Sequence, residues 1–311
     1  MSEVIPVLNP LSYLHFYRRL LEHMKYNPDT TILYHGTGQY DKNWGDQLNR
    51  YLLPLLSGKE TALIPFFHQK GIGEDVYRVV RKISPRHFDM IEQSTIYSAV
   101  GSVLGWLYAE NSVVWGSGFL HEGDLLPVEP QEILAVRGPC TADQINEQYG
   151  LSVDVFGDPA VLYTLYYWPK ITKRYSLGII PHYVDYDVIK KIYHDRTDIC
   201  IIDIKSGNKK VIDSLLSCHC VASSSLHGLI MADAYGIPTT WIDWLTPKVD
   251  DFKYYDYFES IRCDKDCVSL TNYMSPEDII SVSDKPSHMI DMKNLFHACP
   301  FYNSEISPIQ L

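Results

Sequence analysis

Short β-rich apolar runs alternate with stretches of helical periodicity twice along this chain, and that repeated alternation restricts the fold more than any other feature. In the first half the runs lie at residues 31–34, 62–67, 95–100, 112–115 and 132–136. Between the first two, Leu48, Tyr51, Leu52, Leu55 and Leu56 fall at i, i+3, i+4, i+7 and i+8, one face of a helix. Pro54 sits in that stretch and predicts a kink there or an end near Leu53. The second half repeats the plan, with strands predicted at 177–180, 199–203, 219–222 and 239–242 and helices at 186–194, 209–216 and 226–235. Strands that alternate with helices require parallel sheets whose faces the helices cover. The expected fold class is therefore α/β, in two doubly wound domains. These are residues 1–166 and residues 175–285, separated by a polar, Pro-containing linker at 167–174 and followed by a tail at 286–311. A length of 311 residues suits two such domains.

Charge narrows the function. A formal net charge of −11 argues against nucleic acid as a partner, because that requires a basic stripe to displace counterions. A small anionic substrate in a local basic pocket stays open. The 23 tyrosines and 6 tryptophans suit a core and, in part, stacking against sugar rings. Seven cysteines, an odd number without framework spacing, point to a reducing compartment. Cys218-His219-Cys220 lacks a C-x-x-C pair and a second ligand group, so it reads as buried structure and no metal site is expected. Residues 1–20 show no basic start followed by an apolar core and a cleavage site. The best membrane-span candidate, 98–109, is well short of the ~20 apolar residues a span needs. The expected localisation is cytoplasmic, with room for a peripheral contact with the inner membrane face.

Open α/β sheets bind ligands beyond the carboxyl ends of their strands, so those ends hold the candidate residues. His35-Gly36-Thr37-Gly38 lacks the third glycine of a dinucleotide fingerprint. Asn43 and Asp46, flanking Trp44 and Gly45, either cap the following helix or contact a ligand. Gly116, Ser117 and Gly118 either make a tight turn or let backbone amides approach an anion. Arg137, directly after an apolar strand, either forks onto a carboxylate or phosphate or makes a salt bridge. His182 is either a half-buried histidine or one that reaches the cleft.

His227 is the sharpest case. Ser224 or Ser225 is a good N-cap, which puts Leu226, His227 and Gly228 in the first turn of a helix, where free amides and the positive dipole end favour an anion. Such a histidine becomes a proton donor that loads when an anionic substrate arrives; the alternative is an incidental histidine in an ordinary capped helix. No G-x-S-x-G elbow supports a serine hydrolase.

Six motifs in order, Asn43-Trp44-Gly45-Asp46-Gln47-Leu48, Trp115-Gly116-Ser117-Gly118, Val136-Arg137-Gly138-Pro139, Gly157-Asp158-Pro159-Ala160, Ile180-Pro181-His182-Tyr183 and Ser224-Ser225-Leu226-His227-Gly228, resemble the polysaccharide pyruvyltransferase family. The resemblance implies two Rossmann-like domains facing across a cleft, as in GT-B glycosyltransferases, the first on the acceptor side and the second on the donor side. It implies transfer of the pyruvyl unit of phosphoenolpyruvate, a co-substrate rather than a cofactor, onto two hydroxyls of a sugar or lipid-linked oligosaccharide in a cell-surface polysaccharide precursor.

In that reading His227 is the general acid, with Arg137 and Asp46 as its catalytic companions. Ser224, Ser225, Leu226, Gly228, Gly116, Ser117, Gly118 and His182 bind the donor, and Asn43, Trp44 and Gly45 the acceptor. Asp158 either orients or deprotonates an acceptor hydroxyl, or simply turns the chain. Many relatives carry Arg where this chain has Ser225, so other groups must hold the donor; Lys248, Lys253 and Arg262 are candidates. The competing enzyme reading is a GT-B glycosyltransferase using a nucleotide sugar, and the non-enzymatic one is a carbohydrate-binding protein.

Overall fold

A computed structural model describes residues 31–36, 44–64, 93–243, 250–269 and 275–301, together with residues 22, 79, 82 and 89. Strands β1 (Thr31–His35), β2 (Glu60–Ile64), β3 (Ile96–Ser98), β4 (Ser112–Trp115) and β5 (Glu132–Ala135) form one sheet in the order β2-β1-β3-β4-β5. A second sheet, built from β6 (Tyr175–Ile180), β7 (Ile199–Ile201), β8 (Cys218–Ser223), β9 (Thr239–Asp243) and β10 (Val268–Ser269), runs β7-β6-β8-β9-β10. All strand pairings are parallel. Ranked along the chain, each sheet therefore places its strands second, first, third, fourth, fifth. In that doubly wound order the switch point lies between the first and third strands, β1 and β3 in one sheet and β6 and β8 in the other.

Helix α1 (Trp44–Ser57) follows β1, and α2 (Pro139–Tyr149) follows β5. Helices α3 (Tyr186–Ile192), α4 (Asn208–Leu216) and α5 (Leu226–Ala234) link β6 through β9, and α6 (Phe252–Ser260) precedes β10. The predicted strands appear within a few residues of their expected bounds, because their buried residues form short apolar runs, such as Val113, Val114 and Trp115 of β4. Among the described residues no helix separates β4 from β5, so the alternation expected in the first half is broken there.

Of the two outcomes expected at Pro54, an end near Leu53 is corrected, since the helix continues through Pro54 to Ser57. Leu48, Leu52, Leu53 and Leu56 are buried, which anchors both sides of the proline in one core, and the Leu53 carbonyl accepts the Ser57 hydroxyl at 2.7 Å. Leu53 thus replaces Leu55, which is exposed, on the buried face.

One hydrophobic cluster draws on both halves of the chain: Leu52 and Leu56 of α1, Leu162 of a 3-10 helix at Pro159–Leu165, and Leu229 and Ile230 of α5. Trp44 reinforces the junction by donating its indole N–H to Asn208 Oδ1 of α4 at 2.9 Å. No described helix is long and apolar enough to cross a membrane. The buried pair Cys218 and Cys220 points to one face of β8 while His219 is exposed, and no described group of side chains could hold a metal ion.

Candidate functional site

The carboxyl ends of β6 and β8, at the second sheet's switch point, are sewn together by serines. Ser223 Oγ lies 2.9 Å from the Ser225 carbonyl and accepts the Ser225 amide at 3.0 Å, which folds the strand into α5. Ser224 Oγ accepts the His182 amide at 2.9 Å, and the Ser224 carbonyl accepts the Tyr254 hydroxyl at 2.9 Å. Ser225 occupies the N-cap position in extended conformation, but its side chain makes no cap hydrogen bond. The first-turn amides of α5, from Leu226, His227 and Gly228, therefore gain no cap from the residue best placed to give one. Gly228 is required here, since a Cβ on it would lie 2.3 Å from Ser223 Oγ.

His227 is 7% exposed, and two other helix starts meet its ring. Its Nε2 lies 3.3 Å from Asp158 Oδ2, the carboxylate of a residue that is 1% exposed. The two atoms approach without hydrogen-bond alignment, and neither has another partner among the described residues. Asp158 is the N-cap of the 3-10 helix, its Oδ1 accepting the Ala160 amide at 2.9 Å. On the other side lies Gly45, the second residue of α1, where a Cβ would come within 1.9 Å of His227 Nδ1. The amino ends of α1, α5 and the 3-10 helix thus converge on one imidazole. An α-helix amino end carries about half a positive charge, so the two α-helix ends together offset the buried Asp158 carboxylate.

The guanidinium expected beside His227 is placed differently. Arg137 is fully buried, and its Nε donates to Asp256 Oδ2 of α6 at 2.8 Å. Nη2 donates to the Phe119 carbonyl at 2.6 Å, and Nη1 to the Ser102 hydroxyl. The reason lies in the next residue. Gly138, the N-cap of α2, has no side chain to cap the helix, and the cap comes from Asp256, whose Oδ1 accepts the Thr141 amide at 2.8 Å. A carboxylate sealed at that depth needs a cation, which Arg137 supplies. Gly138 also lets α6 approach, because a Cβ there would lie 1.8 Å from the Asp256 carbonyl oxygen.

The glycines after β4 are also occupied by the protein itself. Gly116 and Gly118, expected to face an anion, donate their amides to the carbonyls of Ala135 at 2.8 Å and Gly101 at 3.1 Å. Ser117 Oγ donates to the Ala99 carbonyl at 2.9 Å. Of the acceptor-side residues, Trp44 is buried on Asn208, Gly45 abuts His227, Asp46 lies on α1 with its side chain outside the described residues, and Asn43 lies outside them altogether. The His182 ring is half-buried and lies 4.3 Å from that of Tyr183. Among the cations considered for the Ser225 position, Lys248 lies outside the described residues and Arg262 is exposed. Lys253 stands over the ring of Tyr254 at 5.2 Å, the tyrosine whose hydroxyl holds Ser224. Sequence reasoning missed Asp256 and Asn208; the one available signal for Asp256 was a helix start with glycine at its N-cap.

Residues 129–246 match the family described as polysaccharide pyruvyl transferase, a stretch that includes Arg137, Asp158 and His227. An uncharacterized protein of Acanthamoeba polyphaga mimivirus is 32% identical over 184 residues, 54% of this chain and 63% of that protein. The succinoglycan biosynthesis protein ExoV of Rhizobium meliloti (strain 1021) is 27% identical over 183 residues, 56% of each chain. The chain spans less than two thirds of the length of either relative.

Proposed function

Residues 129–246 belong to the polysaccharide pyruvyl transferase family, and from that premise we propose that the protein moves the pyruvyl unit of phosphoenolpyruvate onto two hydroxyls of a sugar, with His227 as general acid. The observation that carries this reading is the convergence of two α-helix amino ends, at Gly45 and His227, on a buried imidazole paired with a carboxylate. The donor's phosphate and carboxylate suit the first turns of α1 and α5. Lys253, over the ring of the tyrosine whose hydroxyl holds Ser224, supplies positive charge to the donor in this reading.

His227 gives its proton to the methylene carbon of the enol. The C=C electrons form the new C–H bond, and the adjacent carbon becomes oxocarbenium-like. One sugar hydroxyl attacks that carbon and loses its proton, to Asp46 in this reading. Phosphate then leaves with its bonding electrons and takes the proton from Asp46, and the second hydroxyl adds to the same carbon and gives its proton to the neutral His227, closing a cyclic ketal and reloading the acid. General acid help contributes about 10²–10⁴-fold, so alignment and anion stabilisation by the helix ends carry the rest.

Arg137 acts through the clamp between α2 and α6 rather than on the donor. The acceptor is a polysaccharide precursor, free or lipid-linked, and in the lipid-linked case the protein works at the inner face of a membrane, from the cytoplasm. The two sheets then serve as donor and acceptor sides of a GT-B-like pair.

Incubation with phosphoenolpyruvate and a panel of sugars tests this, read by phosphate release and by the new ketal methyl signal in proton NMR. The wild type is expected to release phosphate only with a competent acceptor, and His227→Gln to release it about 10²–10⁴-fold more slowly while unfolding at the wild-type temperature. Near-normal turnover in that variant removes His227 from the role of acid. Binding of a nucleotide sugar with no response to phosphoenolpyruvate removes the whole reading.

A further inference from the structure

We propose that Asp158 is the positioning residue for His227, and that the glycines of the Trp115-Gly116 and Gly157-Asp158-Pro159 motifs exist to place it. This rests on His227 being the acid. Three features fix the carboxylate. Its Oδ1 is held by the Ala160 amide at 2.9 Å, leaving Oδ2 to face the imidazole at 3.3 Å. On one side Gly157 has φ +144°, and a Cβ there would lie 2.6 Å from Ile290 Cγ2. On the other, Pro159 fits against Gly116, where a Cβ would lie 2.1 Å from the proline Cδ and the backbone has φ +96°. Both glycines hold a left-handed or otherwise restricted backbone and a contact that a side chain would block. The cradle that sequence reasoning assigns to an anion is thus filled by the Asp158 loop.

The chemical consequence concerns the two ring nitrogens. A carboxylate at Nε2 keeps a proton on that nitrogen, so Nδ1, next to the first turn of α1 at Gly45, is the atom that gives its proton to substrate. When the Nδ1–H bond breaks, its electron pair stays on Nδ1 and the ring remains as the Nε2–H tautomer beside Asp158. The contact tightens when substrate binds, as catalytic hydrogen bonds commonly do.

Asp158→Ser provides the test, because serine still caps a helix but is too short to reach His227; Asp158→Asn, which keeps the shape, serves if the serine variant fails to fold. In ¹⁵N-histidine NMR, with the His227 signals assigned by their loss in His227→Gln, the wild-type neutral ring is expected as the Nε2–H form and the variant ring as a mixture. Turnover of phosphoenolpyruvate is expected to fall about 10²-fold with KM changed less than about threefold. In a His227→Gln background the same change is expected to have no further effect, since residues that act as one unit are not additive. An unchanged tautomer in Asp158→Ser, or an equal loss of residual turnover with and without His227, overturns the proposal. The tautomer readout needs no substrate, so it stands or falls separately from the pyruvyl-transfer reading.

Discussion

Arg137 and Asp256, 119 residues apart, meet at 2.8 Å with both side chains sealed from water, and they join the strand end after β5 to helix α6. Breaking a buried pair by removing one partner typically costs about 3–5 kcal/mol, because the other charge is left uncompensated. Arg137→Met is expected to lower unfolding free energy by that amount in urea titration. The double variant Arg137→Met, Asp256→Leu is expected to recover most of the loss, since an apolar replacement of both charges is often neutral. It should not recover all of it, because Asp256 also caps α2 through the Thr141 amide, a contribution of about 1 kcal/mol. A single variant as stable as wild type removes the clamp.

The junction between α1 and α4 rests on Trp44 and Asn208. Trp44 is 1% exposed and Asn208 2%, with the indole N–H on Oδ1 at 2.9 Å. Trp44→Phe keeps most of the ring but leaves a buried amide oxygen without that donor, a loss of about 1–3 kcal/mol. Adding Asn208→Leu removes the orphaned oxygen and is expected to restore part of the stability. Equal stability of the single and double variants would show that the bond contributes nothing.

Asp233 gives the protein a pH signature away from the candidate site. Burial pushes its carboxyl up to about 6, against the pull of Lys265, the Thr239 hydroxyl and the Tyr257 hydroxyl, while Asp284 adds to the rise. In the unfolded chain an aspartate titrates near ~3.9. Between those values the folded protein binds more protons than the unfolded chain, so stability falls as pH rises through the window and is then level above it. The decline is on the order of 3 kcal/mol. Asp233→Asn, which resembles the protonated carboxyl, is expected to flatten it. Urea titrations from pH 4 to 7 check this, and a wild-type stability that rises smoothly over the window with no difference from the variant contradicts it.

How much of this could be read from residues alone follows from distance along the chain. The strands were legible because their buried residues form short apolar runs, and β8 followed by Ser-Ser-Leu-His-Gly announced a helix start with His227 in its first turn. Contacts across the two halves were not. Nothing local in Arg137-Gly138-Pro139 says whether the guanidinium meets a ligand or a carboxylate 119 residues later. Glycines carry the same ambiguity: Gly116 and Gly157 lack side chains because Pro159 and Ile290 stand where those would be, and a sequence does not distinguish room for a ligand from room for a neighbour. The Pro54 helix shows the converse, a local breaker overridden by four buried leucines.

Gly45 separates catalysis from stability. Its φ is not in the left-handed region, and it lies inside α1, where alanine ordinarily stabilises a helix by about 0.5–1 kcal/mol. Yet an added Cβ would lie 1.9 Å from His227 Nδ1, 2.4 Å from Cε1 and 2.5 Å from Cγ, so the imidazole must move by about an ångström or more. A displacement of that size commonly lowers turnover by about 10²-fold. Gly45→Ala is therefore expected to fold with a stability loss of about 1–3 kcal/mol from the crowded ring, while losing most phosphate release from phosphoenolpyruvate at temperatures where it stays folded. Gly105→Ala is the control, because its new Cβ would meet nothing closer than Asp124 Oδ2 at 3.4 Å, an ordinary contact. Full turnover in Gly45→Ala would mean that the ring need not sit where Gly45 holds it, and that the meeting of α1 with His227 is packing without catalytic consequence.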